Sequence, residues 1–248
     1  MRIKVLKLVT IIFLTSINLF AQKNEAKIKG VSLKKNNEAD TINVRINSTF
    51  LLLGTLNDYI NHKYVTQQNQ FDRYYEYEKP LMKYVDSIAK KDFNIQLVEE
   101  KNCFVSNELS LKMNTFYNEN KLIDNLFDSN EKKISFILGV YFRNGEKINN
   151  DIFKIQLANS PKNENVYKIL KQLGCKNIFF KRLDNIPTQY IIYFQATKAI
   201  KEYFKIIESE VEILLDSKIK SLRTTDEIKQ NYREIMAKEN LKIIELFK

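Results

Sequence analysis

The chain has 248 residues, of which 44% are apolar and 12% aromatic, with only five glycines and three prolines. This composition excludes a disordered or fibrous protein and is sufficient for one substantial hydrophobic core. The formal net charge of +10 comes mostly from lysine, with 33 Lys against 7 Arg. Because arginine reads guanine edges and grips phosphates through two bonds at once, this balance argues against nucleic-acid recognition.

The first 22 residues have the layout of a secretory signal peptide. Arg2, Lys4 and Lys7 precede an almost entirely apolar run at 8–20, and Ala21 provides a small residue at a plausible cleavage point. The run is shorter than the about 20 residues that a membrane-spanning helix needs. We therefore expect export to the periplasm or the exterior, with no transmembrane span in the mature chain.

Three regions follow from this interpretation. Residues 1–21 are the predicted signal peptide, and residues 22–40 form a polar, lysine-rich tether. Residues 41–248 are predicted to form a single α+β domain, in which 128–133 is the best candidate for an internal boundary.

The first half of the domain is predicted to be rich in helices. Alternating apolar residues at 41–47 indicate a half-buried strand. Ser48 is then the predicted N-cap of a helix. Pro80 interrupts a further helical stretch, so that either this helix is kinked or a new one begins with Pro80 in its first turn. The predicted elements after the first strand are a helix at 50–62, helical spacing at 71–91, short strands at 93–98 and 103–105, and helical spacing at 107–127.

The second half is predicted to contain a sheet protected by helices. The continuous apolar run at 134–143 favours a central strand that is covered on both faces. A strand at 151–157 follows. A short amphipathic helix at 161–173, ended by Gly174, then leads to a second strand pair at 176–183 and 189–196. This order, strand, strand, helix, strand, strand, predicts an α+β fold with a mixed or antiparallel sheet.

From residue 197 the chain is predicted to be helical to its end. Thr224 and Glu227 have the spacing of a capping box, so we expect the helix to break near Arg223 and to form an antiparallel helical pair. Leu241 and Ile244 project away from the main apolar stripe of the second helix. They are the predicted surface for a protein partner or for self-association, unless they belong to the core.

The two cysteines, Cys103 and Cys175, are candidates for a disulfide bond, since both would follow an export signal. Two separate buried thiols are the alternative, and sequence alone does not decide between them.

No motif assigns a catalytic or cofactor site. The chain has a single histidine, His62, and no HExxH, CxxC, GxSxG, Walker or GxGxxG pattern, so we expect neither a metal site of the usual zinc type nor a cofactor. Glu76 and Glu78 stand two residues apart, where a helix would point them in different directions, and they are predicted to be solvated.

The basic side chains are densest between Lys162 and Arg182. A solvated helix face explains them first and an anion-binding surface second. From the sequence, we predict an exported envelope protein that acts by binding or assembly and has no nucleic-acid partner. The alternative is an exported hydrolase that uses His62 or paired carboxylates.

Overall fold

The computed structural model describes residues 44–57, 70–119, 121–184, 186–222 and 224–248. The predicted signal peptide, the tether and His62 lie outside these ranges. Within them, no helix is both long enough and apolar enough to cross a membrane.

The described residues form eight α-helices and nine strands, with short 3-10 turns at Glu76–Glu78 and Asp124–Leu126. The helices are α1 Ser48–Thr55, α2 Lys79–Phe93, α3 Asn107–Asn114, α4 Asn130–Asn144, α5 Lys162–Gln172, α6 Lys198–Lys205, α7 Glu208–Lys220 and α8 Asp226–Leu246. The strands are β1 Gln70–Arg73, β2 Val98–Glu100, β3 Cys103–Val105, β4 Tyr117–Asn118, β5 Lys121–Leu122, β6 Gly145–Lys147, β7 Ile152–Ala158, β8 Lys176–Leu183 and β9 Gln189–Gln195.

A four-stranded antiparallel sheet dominates the second half of the chain. Its strand order is β6-β7-β9-β8, and all three strand pairs are antiparallel. Strands β7 and β9 lie in the middle, where Phe153 pairs with Phe194 and Ile155 with Ile192 in the core. Small sheets in the order β1-β3-β2 and β4-β5 belong to the first half.

The predicted α+β class, the antiparallel sheet and the C-terminal helical pair are confirmed. Strands β7, β8 and β9 lie close to their predicted ranges, and α5 ends before Gly174, which has the positive φ of 82° expected after a helix. Pro80 lies in the first turn of α2, so a new helix begins there. The earlier part of the stretch contains the end of strand β1 and the 3-10 turn at Glu76–Glu78, and no α-helix.

The predicted central strand at 134–143 is wrong, because these residues belong to helix α4. Ser129 caps that helix by accepting a hydrogen bond from the Lys132 amide. Every residue from Ile134 to Phe142 is buried. A helix that is buried on all sides has the same uninterrupted apolar sequence as a buried strand, so periodicity does not separate the two.

Four further predictions in the first half also need correction. Residues 44–47 have no regular structure, and Asn47 caps α1 in place of Ser48, with its Oδ1 accepting from the Phe50 amide at 3.2 Å. Helix α1 ends at Thr55, whereas we predicted a helix to residue 62. Helix α3 ends at Asn114, and the β4-β5 hairpin follows, because Glu119 takes a positive φ of 56° that a helix does not permit.

The C-terminal half of the fold ends in three helices. The predicted long helix from residue 197 is divided into α6 and α7, and this division leaves the Ile207 side chain fully buried in the core. The cap of α8 is Thr225, one residue beyond the predicted Thr224. Helix α8 contains no buried residue, so its predicted apolar stripe does not form a packed core face.

Candidate functional site

Helices α1 and α4 cross in backbone contact at two glycines. A Cβ atom on Gly139 would lie 2.1 Å from the Leu51 carbonyl oxygen, and one on Gly54 would lie 2.2 Å from the Phe136 carbonyl oxygen. No larger side chain fits at either position without movement of the backbone. The glycines therefore fix how the C-terminal ends of the two helices are positioned.

The guanidinium group of Arg143 lies at the end of α4 and uses all five of its N–H donors. Its Nε donates to Glu78 Oε1 at 2.9 Å, and Nη2 donates to Glu78 Oε2 at 2.7 Å. Nη1 donates to Asp72 Oδ2 at 2.7 Å and to the Thr55 carbonyl at 2.8 Å. Nη2 also donates to the Arg73 carbonyl at 2.7 Å. This one side chain thus joins α1, β1, the turn at Glu76–Glu78 and α4.

The network formed by Arg143, Asp72 and Glu78 is almost completely removed from water, with side-chain exposures of 3%, 1% and 3%. Burial lowers the pKa of Arg143, but the carboxylates of Asp72 and Glu78 more than offset this and hold the pKa above its ordinary value. Burial raises the pKa of Asp72, although Arg143 opposes the rise. The paired charges and the satisfied donors make this network a structural support of the site.

A second buried cation, Lys162, binds the C-terminal end of α1. Its Nζ donates to the Leu56 carbonyl at 2.7 Å and to the Gly54 carbonyl at 3.2 Å. A cation at this end of a helix satisfies carbonyls that lack a partner within the helix and complements the helix dipole. Lys162 is therefore buried, not solvated as we predicted for the basic region that it begins.

A cleft of about 260 Å³ lies where the ends of α1 and α4 meet the sheet and the C-terminal helices. Its walls combine stacked tyrosines, amides and cations. The rings of Tyr75 and Tyr77 are 5.4 Å apart and almost parallel, at 4°. The polar lining residues include Asn57, Glu78, Arg143, Asn144, Glu146, Lys154, Gln156, Gln189 and Lys218.

One face of the four-stranded sheet continues from this cleft, and we call it the outer face. Side chains alternate along a strand, so Lys154 and Gln156 lie opposite the core residues of β7. The register places Lys154 beside Tyr193, and Gln156 beside Ile191. Gln156 Nε2 donates to Gln189 Oε1, and Lys154 Nζ donates to Glu146 Oε2 at 2.8 Å.

On the edge strand β8, Phe179 and Lys181 extend the outer face. Phe180 lies on the opposite face, where its ring packs edge-to-face on that of Tyr167. Phe179 and Phe180 are 37% and 48% exposed, which is unusual for residues in a strand of the main sheet. Lys176 and Lys181 flank them and are also exposed. Among the described residues, neither lysine has an ion-pair partner, so both charges are directed to solvent.

The predicted site residues lie apart from this cleft. Cys103 is partly buried on β3, Cys175 is buried before β8, and both are free thiols. Burial raises the pKa of Cys175 to about 11. Leu241 is 64% exposed on α8, whereas Ile244 is partly buried there.

The carboxylates of Glu76 and Glu78 lie in different surroundings. Glu76 is exposed, but Glu78 is buried and bound to Arg143, which corrects our expectation that both are solvated. Within the described part of the chain, no group of three or more His, Cys, Asp or Glu side chains could hold a metal ion. Our sequence analysis did not identify Arg143 as part of the site. Its one signal was its position, since it is one of only seven arginines and lies at the end of an apolar run.

No protein-family model matches this chain, and no curated protein matches it. Several solved structures are similar to it over part of its length. I-DmoI in complex with DNA and calcium is 17% identical with a TM-score of 0.37, over 65% of this chain and 87% of that one. A mesophilic variant of the homing endonuclease I-DmoI is 17% identical with a TM-score of 0.39, over 66% of this chain and 95% of that one. Full-length DUF199/WhiA from Thermatoga maritima is 13% identical with a TM-score of 0.38, over 79% of this chain and 70% of that one.

These comparisons require a correction, although likeness at this level concerns the arrangement of the chain alone. From the sequence we expected an exported envelope protein, or an exported hydrolase, with no nucleic-acid partner. The solved structures to which the chain is similar include a homing endonuclease and the same protein in complex with DNA. The predicted function, location and exclusion of nucleic acid conflict with that finding, so we correct them and retain none of them below.

Proposed function

We propose that this chain binds single-stranded nucleic acid along the outer face and the edge strand β8 of its four-stranded sheet. The observation that carries the proposal is the exposed ring of Phe179 on the outer face, between the exposed cations Lys176 and Lys181. A strand with this pattern offers a stacking surface for a base with contacts to phosphates on either side of it.

The aromatic rings provide the contacts to bases. Base stacking on an aromatic side chain is worth about 1–3 kcal/mol per base and tolerates any sequence, because every base has a π face. Phe179 lies on the outer face, in register with Tyr193 of β9. The stacked pair Tyr75–Tyr77 lines the cleft at the other end of the same face.

The lysines provide the contacts to phosphates. Lys176 and Lys181 lie on β8, and Lys218 lines the cleft. An ammonium group binds phosphate as a point charge, so a surface rich in lysine favours binding without strong sequence preference. The preponderance of lysine over arginine argues against reading base pairs in a groove but is compatible with this mode of binding.

The test measures binding of a fluorescein-labelled single-stranded oligonucleotide of about 20 nucleotides. Fluorescence anisotropy gives the affinity at each of several salt concentrations. We expect the double variant Lys176→Gln/Lys181→Gln to weaken binding about tenfold. The slope of log K against log salt should fall in magnitude by about 1.4, because each phosphate contact to a single strand contributes roughly 0.7.

The matched control is Lys168→Gln/Lys171→Gln on α5, which removes the same charge from another exposed surface. It should change the affinity by less than about twofold, since contacts and not net charge decide the effect. The proposal would be contradicted if both double variants lost the same affinity for the oligonucleotide, or if the unaltered chain did not bind it at low salt. Phe179→Ala separates nucleic acid from other polyanions, because it should weaken binding to the oligonucleotide but not to heparin.

A further inference from the structure

Helix α8 lies over the outer face but is not packed as a core helix. Its partly buried residues recur at the spacing of one helical face, whereas none of its 21 residues is fully buried. This face comprises Lys229, Met236, Asn240, Ile243 and Phe247.

The residues under α8 are buried separately from the main core. Ile152 and Ile191 are only 4% and 6% exposed, yet neither belongs to the main core cluster. Both lie on the outer face, since each alternates with core residues along its strand. Met236 and Tyr232 of α8 line the cleft together with Gln156 and Gln189.

The contacts that hold α8 in place are few and weak. Asn240 Nδ2 donates to Glu146 Oε1 at 3.4 Å, a long hydrogen bond. Arg233 pairs with Asp216 at 2.7 Å, but both side chains are about half exposed, so water screens the pair. In the described part of the chain, the ring of Phe247, directly after α8, also packs edge-to-face on that of Phe179, with ring centroids 4.8 Å apart.

We propose that α8 is a lid that competes with nucleic acid for the outer face, an inference that rests on the proposed function. The ring of Phe247 occupies the stacking surface of Phe179 that a base would use. Met236 and Tyr232 narrow the cleft beside the amides of Gln156 and Gln189. Binding requires α8 to leave, so the apparent affinity of the whole chain is reduced by the fraction of molecules in which the lid is open.

The test compares two double variants of the full chain that add the same charge to the same helix. The release variant, Met236→Asp/Asn240→Asp, places carboxylates against the sheet and beside Glu146. The control variant, Ile235→Asp/Leu241→Asp, places them on side chains that are 56% and 64% exposed. Any general repulsion between the added charge and phosphate is the same in both variants. The ratio of their affinities for the oligonucleotide therefore measures the effect of opening the lid.

We expect the release variant to bind a labelled single strand about tenfold more tightly than the control variant. Hydrogen exchange of the unaltered chain provides the second measurement. Addition of the oligonucleotide should speed exchange of the α8 amides and leave those of α7 unchanged, because only α8 is displaced.

Each other outcome counts against the lid. If both variants bind equally well, or if the oligonucleotide slows exchange in α8, then α8 is not a competitor while the proposed function stands. If neither variant nor the unaltered chain binds the oligonucleotide, the proposed function is wrong, and the lid proposal that rests on it is wrong too. Circular dichroism at α-helical wavelengths, together with the unfolding midpoint, confirms that the release variant is folded.

Discussion

Charged and polar residues have opposite roles at the crossing of α1 and α4 and on the outer sheet face. At the crossing, Arg143 satisfies every donor it has and is 3% exposed. On β8, Lys176 and Lys181 are exposed without an ion-pair partner in the described residues. A buried charge whose bonds are all used holds elements together, whereas a solvated charge is available to a ligand.

The two regions also differ in how tightly their helices are packed. The α1–α4 contact leaves no space for a methyl group at Gly54 or Gly139. Helix α8 has no buried residue and is attached by few specific contacts. Low local stability is a common property of segments that move during binding. The comparison suggests a rigid support beneath a surface whose cover is weakly held.

The largest expected effect is the loss of the Arg143 network. Arg143→Met leaves the carboxylates of Asp72 and Glu78 buried without their cation and should reduce the free energy of unfolding by about 4 kcal/mol. The same substitution at Arg73, whose side chain is exposed, should cost less than about 0.5 kcal/mol. Urea denaturation of both variants measures the difference.

The Arg143→Met loss should also depend on pH. Burial raises the pKa of Asp72, and the variant lacks the Arg143 cation that opposes this rise, so the folded state favours the protonated carboxyl. Stability of the variant is then highest below the unfolded pKa and falls as pH rises toward the raised folded pKa. The cost should therefore be smaller near pH 5 than near pH 8, and a cost that is independent of pH would show that lost packing, not charge, is the cause.

The helix crossing should give the next largest effect. Gly139→Ala forces a Cβ against the Leu51 carbonyl, and we expect destabilisation of about 2–3 kcal/mol. The sign of the change in stability is informative, because alanine in place of glycine stabilises an unobstructed helix by about 1 kcal/mol. Thermal unfolding followed by circular dichroism distinguishes the two, and a rise in the midpoint would contradict the close contact.

The smallest expected effect lies at the lid. Phe247→Ala removes the ring contact with Phe179 but leaves no buried cavity, since both rings are partly exposed. The free energy of unfolding should change by less than about 1 kcal/mol. A cost comparable to that of Arg143→Met would place α8 in the stable core and remove the contrast between the two regions.

Local signals predicted strands β7, β8 and β9 of the main sheet but not the helices that support it. Gly174 after α5 and Pro80 in the first turn of α2 act through their own backbone geometry, so their positions could be predicted from sequence. The run at 134–143 could not be assigned, because it is apolar on every side of the helix it forms. The partners of Arg143 come from residues 65 and 71 positions away, a distance at which spacing carries no information.

The sequence by itself determined the α+β class, the strand pair at β8 and β9 and the helical C-terminus, since periodicity and turn residues encode these locally. Tertiary structure decided which lysine is buried and which is solvated. Lys162 and Lys176 are the same residue type in one basic region, yet the first binds the end of α1 and the second faces water. The reason is that desolvation of a charge depends on what the rest of the chain packs against it.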